Sequence, residues 1–181
     1  MNEIQELQAQ HYRGRAQNAV QSFLVQKLLI PKVYLDVNWA GWDLDVLAID
    51  RAGVGDVHGV LFVERTNQSF GVKGGQGVRG LEEILVECIE ELRLLPSQFR
   101  YIAIYDAATI EASYAPSANI VQRALAFDGV GRTGILSVDL SEDGPTVRIL
   151  LKPERFRSSK EIVELADRYV AEHTANWEFP E

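Results

Sequence analysis

The chain has 181 residues, is 46% hydrophobic and 24% charged, carries one cysteine, and has a formal net charge of −8. Those proportions supply enough apolar material for a core, which excludes whole-chain disorder; with Cys88 alone, they also exclude a disulfide scaffold. The excess of acid does not suggest strong non-specific binding of nucleic acid, although residues 11–35 contain Arg13, Arg15, Lys27 and Lys32 and no acid, a composition open to a local basic patch.

No stretch approaches the roughly 20 apolar residues of a bilayer span. The opening MNEIQELQAQ is polar, unlike a secretory signal. The expectation is a cytoplasmic protein with no membrane partner, organised as a single α/β domain over residues 1–181.

The first helix is expected from near Glu3 to about Leu29, where Ala16, Val20, Phe23, Leu24 and Leu28 recur at helical steps and Pro31 closes the run. From Lys32 the period changes to two. Strands are expected at Lys32–Trp39 and Trp42–Asp50 around an Ala40-Gly41 turn, and at Val57–Glu64 after the glycine-rich RAGVGD. Short turns make these three an antiparallel meander. NQSFGVKGGQGVRG reads as a loop that feeds a helix whose one face is Leu81, Ile84, Leu85, Cys88, Ile89 and Leu92. A buried strand at Arg100–Tyr105 follows, then a shorter helix at about Ser117–Ala126. Strands at Gly134–Leu140 and Thr146–Leu151 and a last helix at about Ser159–His173, capped by Ser158 or Ser159, complete the order α-βββ-α-β-α-ββ-α.

Candidate chemistry lies in the second hairpin. Asp43 and Asp45 share one face of their strand. If the reversal centres on Gly53-Val54, Asp43 falls opposite Glu64 and Asp45 opposite Phe62, which gathers carboxylates at one end of the hairpin. Oxygen ligands so placed suit Mg²⁺ or Mn²⁺. The alternative is a set of acids at strand ends facing water, and a slip of one residue would send Glu64 to the other face.

The sequences WDLDVLAID at 42–50 and VLFVERT at 60–66, set in the order helix, three-strand meander, helix, strand, resemble the restriction-endonuclease-like PD-(D/E)XK nuclease superfamily. The resemblance covers roughly residues 10–105. It implies a restriction-endonuclease-like core with a mixed central sheet flanked by helices, and metal-dependent cleavage of phosphodiesters. It matches Asp45 to the metal-binding aspartate, Glu64 to the acid of the E-x-K motif and Asp43 to an auxiliary acid, and so implies Mg²⁺ or Mn²⁺ on these three. The motif is degenerate, because the lysine position holds Thr66. Arg65 beside it is always protonated and cannot act as a base, and on a strand it points away from Glu64. Either cleavage is lost and no metal is needed, or Lys73 or Lys27 replaces the missing catalytic lysine. Loss of cleavage is the reading favoured here.

On this reading, Arg13, Arg15, Lys73 and Arg79 are the phosphate contacts to DNA or RNA. The alternative partner is a protein, with the chain acting as an accessory or immunity-type subunit. Lys73 and Arg79 lie in GVKGGQGVRG, which either presents a helix N-terminus to phosphate or simply connects two elements; the former would suit a small-molecule or nucleotide binder. The G-x-G-x-x-G match at 129–134 follows a helix and enters a strand, so it reads as a turn rather than a dinucleotide fingerprint. The three histidines show no ligand spacing, and Cys88 reads as core packing. Trp39 and Trp42 flank a turn beside the carboxylates, where they either stack on a base or cap the core. Trp177 and Phe179 in the tail have two open readings: contact with a second subunit in a homodimer, or docking on their own domain.

Overall fold

The computed structural model describes residues 3–50, 56–65, 70–71, 80–106, 132–140, 144–156 and 159–173. The helix expected at 117–126 and the tail with Trp177 and Phe179 lie outside these residues. Helix α1 (Glu3–Gln26) ends ahead of Pro31, with Leu29 in the left-handed region at φ 57 and the Ile30 N–H donating to Leu24 O at 3.0 Å. Strands β1 (Lys32–Trp39) and β2 (Trp42–Ile49) are joined by Ala40 and Gly41, at φ 51 and 88. Positive φ at both turn residues matches the right-handed twist of a tight hairpin.

Then come β3 (Val57–Arg65), the two-residue β4 (Phe70–Gly71), α2 (Leu81–Arg93), β5 (Phe99–Asp106), β6 (Gly134–Asp139), β7 (Thr146–Leu151) and α3 (Lys160–Glu172). The loop expected before α2 therefore contains one short strand. Ser159 caps α3, its hydroxyl accepting from Ile162 N at 3.3 Å.

The sheet runs β1-β2-β3-β5-β6-β7, with β4 paired to the end of β3. The pairs β1/β2, β2/β3 and β6/β7 are antiparallel, and β3/β5 and β5/β6 are parallel. The fold is a mixed α/β sheet between helices. Helix α1 packs Ala16, Val20 and Leu24 over Val46, Val60, Phe62 and Ala103 on one face. Helices α2 and α3 pack Ile84, Leu85, Ile89, Ile162 and Ala166 over Trp39, Leu47, Ile102 and Ile104 on the other. Trp39 is fully buried and its indole N–H donates to Pro96 O at 2.9 Å, so this ring belongs to the core and cannot stack on a base. Cys88 is buried on the inner face of α2. Among the described residues no helix is long and apolar enough to cross a membrane.

Two features of β1 and β2 position the site. The ladder between them runs through Leu35↔Val46 and resumes at Val37↔Leu44, skipping Asp36 and Asp45. Asp36 has φ 52, a left-handed conformation that aspartate tolerates better than most residues. Side-chain alternation breaks at this point in both strands. Tyr34 and Val37, three residues apart, share the α2 side of the sheet, as do Leu44 and Leu47, while Val46 and Asp45 both turn towards α1. The second feature is a split. Strands β2 and β3 pair only from Ile49↔Val57 to Val46↔Val60 and part beyond it.

The buried His58 has a pH consequence. Its ring stacks 4.7 Å from that of Phe99, and Nδ1 lies 3.3 Å from the Tyr101 hydroxyl. Burial, only partly opposed by Asp56, pushes its pKa down to about 4 from an unfolded value of 6.5. Between these values the unfolded chain binds the extra proton, so stability falls as pH falls through this window, by roughly 3 kcal/mol in total. Denaturant unfolding from pH 7 to 4 is expected to show this loss, and His58→Phe is expected to flatten it.

Candidate functional site

The break in alternation brings Asp36 and Asp45 to the side of the sheet covered by α1. Arg13, in the second half of the helix's exposed N-terminal portion, meets both. Its Nη2 lies 2.5 Å from Asp36 Oδ1 and 2.5 Å from Asp45 Oδ1, and its Nε donates to Asp45 Oδ1 at 3.2 Å. The other Asp45 oxygen, Oδ2, accepts from the Phe62 N–H at 2.7 Å. This bond closes the point where β2 and β3 part, since the carboxylate takes a backbone donor that no ladder pair satisfies. Gln17, one helical turn beyond Arg13, donates to Asp45 O at 3.2 Å. Burial works against the charge of Arg13, but its hydrogen bonds to Asp36 and Asp45 outweigh this and raise its pKa further.

Glu64 lies on the same face. It sits opposite Tyr105 in the parallel β3/β5 pair, and the Tyr105 hydroxyl donates to Glu64 Oε2 at 3.4 Å. Burial pushes the Glu64 carboxyl up, against the opposing effects of the Tyr105 hydrogen bond and the positive charge of Arg13. Burial, followed by the negative charges of Glu64 and Asp45, also pushes the Tyr105 phenol up. Asp43 is exposed and accepts from Asn38 Nδ2 at 3.2 Å across the hairpin.

The expected register is off by one residue. Val46 rather than Asp45 leads the pairing, opposite Val60, so a regular β2 would have placed Asp45 and Glu64 on opposite faces. The break at Asp45 restores the shared face. The expected gathering of Asp45 and Glu64 is thus reached through a compensating irregularity.

The cations are distributed differently from the expected phosphate-binding set. Arg13 is at the site, but its guanidinium is engaged by two carboxylates. Arg15 is half-buried and lies about 200° further round α1, away from Asp45. Lys27 follows the end of α1, roughly 20 Å along the axis from Arg13, too far to replace the missing lysine at Asp45. Thr66, Lys73 and Arg79 lie outside the described residues.

Beyond the split, β2 and β3 border an open cleft of about 700 Å³. Its walls include Trp42, Asp43 and Leu44 from β2, and Leu61 and Phe62 from β3. Arg13 and Asp36 reach it from the α1 side of the sheet, and Glu91 of α2 from the other. Arg13, Asp36, Gln17 and Tyr105 are the contributors that sequence reasoning did not connect to Asp45. A repeated Leu-Asp-Val, at 35–37 and 44–46, was the local signal that two aspartates interrupt apolar alternation in facing strands.

The arrangement does not fit a divalent ion on Asp45. One carboxylate oxygen faces a guanidinium, and the other is held by a backbone N–H. Among the described residues, no three side chains of the histidine, cysteine, aspartate and glutamate types come together as a metal-ligand group.

No family model matches the sequence, and no curated protein matches it. Among solved structures, the fold is similar to that of the SPO1766 protein of unknown function from Silicibacter pomeroyi. The two share 11% sequence identity at a TM-score of 0.51, over 90% of this chain and 85% of that one. A likeness at that identity concerns the fold alone.

Two stability predictions follow from the ion pair and from Glu64. Asp45→Ala leaves Arg13 short of a partner and the Phe62 N–H without an acceptor, and is expected to cost about 3 kcal/mol in denaturant unfolding. The Arg13→Met/Asp45→Ala pair should lose less than the sum of the single changes. Glu64 binds its proton more tightly when folded, so its ionisation destabilises the fold as pH rises above its ordinary value of 4.5. Glu64→Gln is therefore expected to be more stable than the parent at pH 7. The difference should vanish in acid, where the carboxyl is protonated in both states.

Proposed function

We propose that this protein is a PD-(D/E)XK-like domain that has lost cleavage and acts by binding a partner. The order α1, β1-β2-β3, α2, β5 supports the resemblance, together with Asp45 and Glu64 on one face beneath α1. The observation that carries the loss of cleavage is the Arg13 guanidinium on Asp45. A fixed positive charge neutralises the aspartate that a catalytic metal would need, and it is fixed there by a second aspartate, Asp36. Thr66 in the lysine position points the same way, since threonine brings no charge to stabilise a developing phosphorane.

A protein partner suits the site better than nucleic acid. The net charge is −8, Arg13 is already paired, and the cleft adds three further carboxylates, Asp36, Asp43 and Glu91, to Asp45. Phosphate would be repelled from such a surface.

The test is incubation with plasmid, single-stranded DNA and RNA in Mg²⁺ and in Mn²⁺, alongside Asp45→Ala. The expected result is no cleavage of any substrate. Cleavage by the parent that disappears in Asp45→Ala would overturn the proposal and return Asp45 to a catalytic role.

A further inference from the structure

Helix α1 changes character at Gly14. Beyond it the helix is packed, with Ala16, Gln17, Ala19, Val20, Leu24 and Val25 buried. Among residues 3–11, by contrast, only Ala9 is even partly covered, and Ile4 and Leu7 are 66% and 60% exposed. Apolar burial therefore contributes little to this stretch, and a helix of so few residues is marginal on its own. The residue at the junction is glycine, the poorest helix former after proline. Packing does not require it there, since a Cβ on Gly14 would meet nothing within 4 Å, and its φ is not positive. Glycine is accepted as an N-cap, so the packed half can begin at this point when the stretch before it melts. Immediately before Gly14, Arg13 pairs with Asp36 and Asp45 and ties the junction to the broken strands β1 and β2.

We propose that residues 3–11 form an arm that orders and melts as one unit about Gly14, with Arg13 as its latch. While Arg13 holds both aspartates, the junction is fixed in helical conformation and the arm extends from an existing nucleus rather than starting its own. When the arm melts, Arg13 sits at a frayed helix end and its guanidinium leaves the aspartates more readily. The coupling is reciprocal, because each state of the arm favours one state of the pair. Whatever draws Arg13 off Asp36 and Asp45 loosens the arm, and whatever holds the arm helical tightens Arg13 on Asp45. The device rests on the ion pair and on Gly14, and it goes beyond the binding role proposed above.

The test is amide hydrogen exchange on the full chain, read beside solvent exchange of the Arg13 Nε–H. The amides of residues 7–11, which have acceptors within the arm, are expected to share one protection factor, below that of residues 20–24. Gly14→Ala touches neither aspartate. It should raise the protection of those amides by about fivefold and slow the Arg13 Nε–H by the same factor. Asp36→Asn keeps a residue that tolerates the left-handed backbone, and should lower both by about threefold. Residues 20–24 should be unchanged in either variant. Protection that declines residue by residue towards Glu3 and ignores Asp36→Asn would overturn the inference and leave simple fraying of a helix end. So would a Gly14→Ala chain whose arm is protected while its Arg13 Nε–H exchanges as in the parent.

Discussion

The contact between Arg13 and Asp45 exists because two neighbouring strands abandon their alternation at the same level. An aspartate in the middle of a regular β2 would point to the α2 side at the observed register, into an apolar layer where an unpaired carboxylate is costly. Instead Asp36 adopts a left-handed backbone, the β1/β2 ladder skips one pair, and both carboxylates turn to the helix that carries Arg13. The same turn lets Asp45 hold the Phe62 N–H, and the sheet opens beyond this bond. Ion pair, strand break and cleft are therefore one arrangement, and a change to Asp45 disturbs all three.

The consequence for chemistry is a division of the carboxylates by environment. Asp45 is paired and hydrogen-bonded at both oxygens. Glu64, a few residues along the same face, is half-buried against Tyr105 and holds its proton more readily than a free glutamate. Asp43 and Glu91 stand at the surface of the cleft. A hydrolytic metal site needs several of these groups charged and facing one point. Here they face different partners, which is the ground on which loss of cleavage is proposed.

Much of the fold was legible in the sequence because each element carries its own local signal. The strands expected at Lys32–Trp39 and Thr146–Leu151 coincide with β1 and β7, and the apolar face of α2 holds the very residues its spacing selected. Helix α1 ends a few residues early, because Leu28 and Leu29 belong to its closing turn. Register was not legible, since the reversal between β2 and β3 has no two-residue turn to fix it. Nor was the role of Arg13, which a sequence presents as a free cation in an acid-poor helix. Its partners lie 23 and 32 residues away, and only the packing of α1 over the broken strands brings them together.

The most direct test of this account is whether Arg13 or a metal ion occupies Asp45 in solution. The Arg13 Nε–H resonance and the Asp45 carboxyl carbon report this in an isotopically labelled chain titrated with Mg²⁺ and then Mn²⁺. The account predicts a protected Nε–H and an Asp45 signal that neither ion moves or broadens at millimolar concentration. Selective broadening of Asp45 and Glu64 by Mn²⁺, with release of the Arg13 Nε–H to solvent exchange, would contradict it.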